Sequence, residues 1–170
     1  LYLDSRRARN EAARSAASSA AVADFLSKDL FSVVTDRPLK ELTVRELLDA
    51  ASKTLAQRPE LTPEAAAQIH ASLGNALLSM ELVPEADSHL EKALSLYEEI
   101  DGAESVNVVS TAAQVVLVQA VIGKLSQVAR YNGILEAGRH SLGPNHPAVA
   151  GLSLSLARAM QMQGFWKESA

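Results

Sequence analysis

Three short segments recur along this chain at a nearly constant interval. They are Glu81–Ala86, Gly123–Val128 and Gly164–Ser169, and their starts lie 42 and 41 residues apart. Each follows an apolar stretch long enough for one helix, so each is predicted to be the turn inside a pair of helices. An internal period in this range is typical of arrays in which every unit buries its apolar face against its neighbours. The period therefore favours a stack of helix pairs over a closed bundle.

Local signals predict where the helices begin and end. Thr43 and Glu46 have the spacing of a capping box, and Thr62 followed by Pro63 supplies an N-cap with proline at the first helical position. Glycines end several of the other helices. The predicted helices cover residues 3–28, 43–57, 62–80, 84–100, 104–122, 126–141 and 147–164, with another beginning at 165. No segment predicts a strand.

Residues 68–99 fit such a helix pair best, because small residues are expected where its two helices cross and leucines are expected between pairs. The small residues are Gly74, Ala86 and Ala93, and the leucines are Leu73, Leu77 and Leu90. One period later the matching residues fit poorly, and they are Val115, Val116, Val128, Asn132 and Leu135. A third unit matches through Leu156 and Ala157. The predicted helix at 104–122 is apolar nearly all round, so we expect both of its faces to be covered.

The segment Leu142–Val149, which reads LGPNHPAV, adds a family resemblance to this pattern. It resembles the LGPDHP-type linker of the long-period tetratricopeptide repeats in kinesin light chains and many bacterial signalling proteins. The resemblance implies an all-α fold, an alpha-alpha superhelix of antiparallel helix pairs, preceded here by a long N-terminal helix. It divides the chain into residues 1–60, which form a pseudo-repeat, and residues 61–170, which form repeats of which the last is truncated.

A second resemblance points to a parent protein. Residues 23–31 (ADFLSKDLF) and 42–51 (LTVRELLDAA) look like the segment just after the transmembrane helix in two bacterial families. The membrane-anchored CadC-like winged-helix transcriptional regulators imply a periplasmic sensor or interaction domain of an inner-membrane protein. The eukaryotic-like Ser/Thr kinases with a repeat-containing C-terminal half imply the alternative, a scaffold region of such a kinase or a cytoplasmic adaptor.

Composition argues against several other functions. The net charge is −4 and the only basic cluster is Arg6, Arg7 and Arg9, so we expect no direct contact with nucleic acid by this segment. The chain has no cysteine, so disulfides and thiolate chemistry are absent. The apolar run from Val106 to Ile122 is broken by polar residues, which predicts a buried helix rather than membrane insertion.

The four histidines are the candidates for chemistry. His70 takes the large first-helix position of its repeat, so we expect it to pack in the core, and we expect His89 to be solvated. His140 and His146 flank a turn, which leaves a pH-sensing pair open. His146 before Pro147 also has the pattern of a residue that begins a helix.

No segment has the pattern of a nucleophile elbow, a Gly-rich phosphate loop or a complete metal site. The serines lie on predicted helices or at their caps, and paired carboxylates such as Glu98 and Glu99 fall on a polar helix face. We therefore expect no enzymatic activity, no catalytic residue, no cofactor and no bound metal.

The binding surface expected for such a stack is the concave face made by the first helix of each pair. The candidate residues on it are Gln68, Asn75, Leu78, Ser79, Leu117, Leu154, Arg158 and Gln161. Asn75 matches one position of the carboxylate clamp of some tetratricopeptide proteins, but Ala71 and Ala113 stand where charge is wanted. This favours an apolar or helical segment of a protein or peptide partner. The alternative is that Leu78 and Leu117 pack beneath a neighbouring helix.

The long first helix carries a further hypothesis. Its early half, Asp4–Ser15, is polar with charges of both signs, so we expect a spacer or a stalk through which two copies form a homodimer. Phe165 and Trp166 near the other end resemble an exposed binding hot spot, but we expect them to pack between repeats.

Overall fold

Every element that the structure describes is a helix. The computed structural model describes residues 16, 19–25, 43–58 and 61–168, with side chains up to residue 164. Besides a short helical stretch at 19–24, it contains α1 (Val44–Ala56), α2 (Pro63–Ser79), α3 (Val83–Asp101), α4 (Val106–Val121), α5 (Val128–Ser141) and α6 (Pro147–Glu168). The all-α prediction is confirmed, and no strand lies in the described ranges.

Several predictions fall outside these ranges. Most of the predicted first helix, its polar half and the arginine cluster near the start are not among the described residues. The same holds for residues 26–42, which carry much of the resemblance to a parent protein, and for the side chains of Phe165 and Trp166. The homodimer hypothesis therefore stays a prediction.

Two compact units divide the chain, residues 1–69 and residues 70–170, and the division falls inside α2. The predicted boundary at residue 60 stays a prediction. In the first unit, α1 begins with the expected capping box, in which the Thr43 side chain accepts from the Glu46 N–H and the Glu46 carboxylate accepts from the Thr43 N–H. Leu48 and Leu55 are among its buried side chains.

The turns after α2 and α4 have the same geometry one period apart. Glu81 and Gly123 both have a left-handed backbone, with φ of 61° and 69°. In each turn the N–H of the next residue, Leu82 or Lys124, donates to the carbonyl five residues earlier, at 3.0 and 2.8 Å. A bond of this kind closes a helix C-terminus. The 42-residue interval from Glu81 to Gly123 is therefore a structural repeat.

The third recurring segment is not a turn. α6 runs through Gly164 to Glu168, and Gly164 is not among the residues with positive φ. The predicted helix end at Gly164 and the predicted new helix at Phe165 are therefore wrong. A glycine inside a helix costs only about 1 kcal/mol relative to alanine, and no proline follows it in the sequence to end the helix.

α4 is the most enclosed helix of the second unit. The Ser105 hydroxyl caps its start by accepting from the Val108 N–H at 3.2 Å. The helix packs on α3, α5 and, most extensively, α6. Its buried residues cover roughly half of its circumference and are Val108, Val109, Thr111, Ala112, Val115, Val116, Val118, Gln119 and Ala120. On the remaining side Ser110 and Val121 are exposed, and Gln114 and Leu117 are half-buried. The prediction that both faces are covered is wrong for the side that carries Ser110 and Val121, which is exposed.

Two glycines mark close approaches between helices. A Cβ atom added at Gly74 would lie 2.7 Å from Cγ of Leu90, so α2 and α3 cross here, as predicted. A Cβ atom added at Gly138 would lie 2.8 Å from Cγ2 of Val109, where α5 crosses α4. Because backbone meets side chain at these points, larger residues there would force the helices apart.

The second helices of the pairs repeat at 41 residues rather than 42. Asn132 is exposed, and Tyr131 holds the buried position that Leu90 holds on α3. At this spacing the buried residues match in order, Leu90, Ala93, Leu94 and Tyr97 on α3 with Tyr131, Ile134, Leu135 and Gly138 on α5. The predicted match of Asn132 to the core is wrong because the segment after the turn is one residue shorter in the second pair.

Candidate functional site

The predicted residues on α2 are linked to α4 through a hydrogen bond. The Gln114 side-chain N–H donates to Oδ1 of Asn75 at 2.8 Å, and both side chains are near solvent. Ser79 is exposed and its hydroxyl donates to the backbone carbonyl of Asn75 at 3.0 Å. Leu78 is half-buried. Asn75 was predicted from the repeat, whereas Gln114 was not, because their partnership spans two helices.

The predicted residues on α4 and α6 differ in exposure. Leu117 on α4 is half-buried, and Val121 at the end of that helix is 51% exposed. On α6, Leu154 is 53% exposed, and Arg158 and Gln161 are exposed as well. The last three residues lie four and three positions apart, so they line one side of the helix.

α6 exposes to solvent several positions that α4 buries. Four of the buried residues of α4 are Val109, Val116, Gln119 and Ala120. Forty-one positions later on α6 stand Ala150, Ala157, Met160 and Gln161, and all four are exposed. On α4 this side is covered by the second helix of its pair, since Val109 lies against Gly138 of α5. α6 therefore carries a largely apolar side that no described helix covers.

We call seven of the eight predicted residues the first-helix face, and they are Asn75, Leu78, Ser79, Leu117, Leu154, Arg158 and Gln161. All lie in the second unit, in which α4 packs on α6 and Gln114 joins α4 to Asn75. Gln68 is half-buried and belongs to the first unit. The concave shape predicted for this surface stays a prediction.

A polar cluster that was not predicted from the sequence joins α3, α4 and α5. We call Glu91, Glu98, Gln119, Arg130 and Tyr131 the Glu91 cluster. Gln119 donates its side-chain N–H to Oε1 of Glu91 at 2.8 Å, and the Tyr131 hydroxyl lies 2.9 Å from the same oxygen. Arg130 donates to the other Glu91 oxygen at 3.2 Å and to both oxygens of Glu98.

The Glu91 cluster is internally satisfied and half-shielded from water. Glu91, Glu98 and Arg130 each expose about a quarter of the side chain, at 26%, 27% and 26%. Burial, followed by the hydrogen bond to Glu91, raises the pKa of the Tyr131 hydroxyl above its usual range. The hydrogen bond to Glu98 also raises the pKa of Arg130, whereas burial by itself would lower it. Arg130 on α5 binds both oxygens of Glu98 on α3, and such a bidentate pair requires one relative placement of the two side chains. The cluster therefore holds α3 and α5 in register.

Two histidines form a direct contact between α2 and α3. Nδ1 of His70 lies 2.9 Å from Nδ1 of His89, with the ring centroids 5.0 Å apart and the rings tilted by 41°. Both residues are half-buried, so the prediction that His89 is solvated is wrong. The neighbourhood of His89 in the sequence is polar, but the register of α3 on α2 turns its ring inward.

The other two histidines have simpler surroundings. Nδ1 of His146 accepts from the Ala148 N–H at 3.2 Å, which caps the start of α6. The interpretation of His146 as a residue that begins a helix is confirmed. His140 is exposed near the end of α5. The structure shows no contact between His140 and His146 within its described part, so nothing supports a pH-sensing pair there.

Neither a metal cluster nor a membrane-spanning segment is found in the described part of the chain. Within it, no group of three or more His, Cys, Asp or Glu side chains could hold a metal ion. None of the helices in these ranges is both long and apolar enough to cross a membrane.

The sequence matches no known protein family and no curated protein. The resemblance to tetratricopeptide repeats therefore rests on the LGPNHPAV segment and on the spacing of small and large residues over 68–99. The resemblance to the regulators and the kinases rests on residues 23–51 alone.

Proposed function

We propose that this chain is a non-enzymatic binding or sensing module of the tetratricopeptide type, which takes a protein or peptide partner on its first-helix face. The observation that carries the proposal is the hydrogen bond between Asn75 and Gln114, because it makes neighbouring first helices part of one surface. Leu154 on that surface and Val121, which lies one helical turn after Leu117 on α4, are each more than half exposed and give apolar points of contact. A contiguous apolar patch rimmed by polar residues is typical of an interaction site.

The chemistry of the face supports one class of partner. Arg158 is its only charged member, and Asn75, Ser79 and Gln161 are polar and uncharged. An apolar segment that carries a carboxylate would place its side chains on Leu154 and its charge beside Arg158. We therefore propose an apolar or helical peptide segment with an acidic group as the ligand.

The parent protein that we propose is a membrane-anchored bacterial transcriptional regulator in which this segment is the periplasmic sensor domain. Residues 23–51 support it through their resemblance to the CadC-like regulators. The alternatives are a bacterial Ser/Thr kinase scaffold and a cytoplasmic adaptor. Sequencing the gene upstream of Leu1 decides between them, because the regulator requires a winged helix followed by a hydrophobic run and the kinase requires a kinase domain.

Site-specific photo-crosslinking tests the binding face. A photoreactive phenylalanine derivative is placed at Leu154 or, as the control, at Asn132, which is exposed on α5. We expect a partner-dependent crosslink from position 154 that is lost in the Arg158→Glu background, and none from position 132. The partner identified in this way is then purified, and Leu154→Glu is expected to weaken its binding at least about tenfold. Equal crosslinking from both positions, or binding unchanged by Leu154→Glu, contradicts the proposal.

A further inference from the structure

The contact between His70 and His89 depends on how many protons the two rings carry. Their Nδ1 atoms face each other at 2.9 Å, so one must carry hydrogen and the other must offer a lone pair. The neutral pair satisfies this condition when one ring has its hydrogen on Nδ1. A pair with one extra proton satisfies it as well, because the charged ring still donates to its neutral partner.

A second extra proton removes the bond. Both Nδ1 atoms then carry hydrogens that point at each other across 2.9 Å, and two positive charges meet in a half-buried place. Like charges at this distance repel, and neither ring offers an acceptor. The pair therefore has a bonded state with at most one extra proton and a repulsive state with two.

The groups around the pair oppose the second proton. Burial, then the charge of His89, then the charge of Lys92 on α3, lower the pKa of His70 from 6.5 to about 4. Burial also lowers the pKa of His89. The first proton therefore goes to His89, which then donates to Nδ1 of His70. Lys92 also makes the place unfavourable for a metal cation, and no third ligand joins it in the described part of the chain.

The pair lies next to the closest crossing of its two helices. His89 immediately precedes Leu90, whose side chain meets Gly74, and His70 stands one helical turn before Gly74 on α2. A repulsion between the two rings therefore acts at the point where α2 and α3 approach each other most closely.

We propose that the His70–His89 pair is an acid-operated latch, in which the second proton breaks the Nδ1 hydrogen bond and lets α2 and α3 separate at the crossing of Gly74 and Leu90. The latch is a property of the helix pair and does not depend on what the first-helix face binds. It makes the arrangement of this pair sensitive to acid, while the distant contacts of α4 with α6 are unaffected.

An NMR titration of the whole chain from about pH 7.5 to about pH 3.5 tests the latch. The ¹⁵N signals of the imidazoles report protonation, and the amides of Gly74 and Leu90 report the crossing. We expect His89 to titrate first and His70 near pH 4, with the two amides moving at the lower midpoint. Leu152, buried in α6, is the reference. Amides that do not respond, His70 titrating at its ordinary value of 6.5, or a Leu152 amide that moves together with Gly74, each overturn the proposal.

Variants separate the latch from general acid sensitivity. His70→Gln and His89→Gln keep a side chain that can bond the remaining ring but cannot take a second charge, so we expect the low-pH movement of Gly74 to disappear. His140→Gln is the matched control, because His140 is exposed on α5, and it should keep the movement. Movement that persists in both latch variants contradicts the proposal. The titration of the unaltered chain stands as a test by itself where a variant does not fold.

Discussion

The hydroxyl of Tyr131 is the most deeply placed polar group of the Glu91 cluster. The residue is fully buried, and its oxygen lies 2.9 Å from Glu91 on α3 and 3.0 Å from Oε1 of Gln119 on α4. The single hydroxyl proton goes to the carboxylate, because a charged acceptor forms the stronger bond. At the scale of single residues, this hydroxyl joins α5 to α3, and Gln119 joins α4 to the same Glu91 oxygen through its own N–H. A buried polar group without a partner is costly.

Replacing Tyr131 with phenylalanine should destabilise the second unit without changing its packing volume. Glu91 loses a donor in a half-shielded place, so we expect the free energy of unfolding to fall by about 1–2 kcal/mol. Urea denaturation followed by circular dichroism measures it. Tyr97→Phe is the matched control, because Tyr97 is also buried, on α3, and its hydroxyl lies outside the Glu91 cluster. Equal losses in the two variants would contradict a special role for Tyr131.

At the scale of elements, the ends of the helices show which features a sequence predicts well. The capping box at Thr43, the proline start of α2 and the glycine end at Gly123 are local signals, and the structure confirms them. Gly164 has the same sequence signal as Gly123, yet it continues a helix. A glycine permits a left-handed turn but does not require one, so surrounding packing decides, and packing is not readable from a local pattern.

The repeated turn predicts opposite effects for its two central residues. Glu81 adopts φ 61° with its side chain exposed, so Glu81→Gly should raise stability by about 1 kcal/mol, since a left-handed backbone strains any residue with a Cβ. Gly123 adopts φ 69°, and a Cβ atom there meets nothing within 4 Å. Gly123→Ala should therefore lower stability by about 1 kcal/mol through the backbone alone. Thermal unfolding of both variants measures these two changes in stability. Midpoint shifts of the same sign in the two variants would contradict the shared turn geometry.

The whole molecule contains contacts that a single sequence cannot predict. The partners Glu91 and Arg130 are separated by 39 residues, and His70 and His89 by 19. Whether such residues meet depends on the register of one helix on the next, and the contact of Gly74 with Leu90 sets that register only for α2 and α3. The helices could be predicted from local signals, and Asn75 from the repeat, whereas its partner Gln114 and the Glu91 cluster required the packed structure.

Acid should destabilise the whole molecule over a range of pH that is set by the titration of His70. Its pKa is about 4 in the folded chain against an ordinary value of 6.5, so the unfolded chain takes up the proton first as the pH falls. The uncharged His70 ring contributes fully to the free energy of unfolding above pH 6.5. This contribution is lost as the pH falls from 6.5 through about 4. We expect the urea midpoint to fall across this window, and to fall less in His70→Gln. The exposed-site variant His140→Gln should follow the unaltered chain, and a His70→Gln curve parallel to it would contradict the assignment.

The central claim is that the first helices of successive pairs lie side by side and form one face. Because the chain has no cysteine, Asn75→Cys with Gln114→Cys introduces a single pair of thiols where two side chains hydrogen-bond at 2.8 Å. A short bis-maleimide should crosslink this pair within one chain almost completely. Asn75→Cys with Asn132→Cys, which places the second thiol on the exposed side of α5, should give little crosslink. Efficient crosslinking of the first pair and not the second is the result that the arrangement predicts, and the reverse would contradict it.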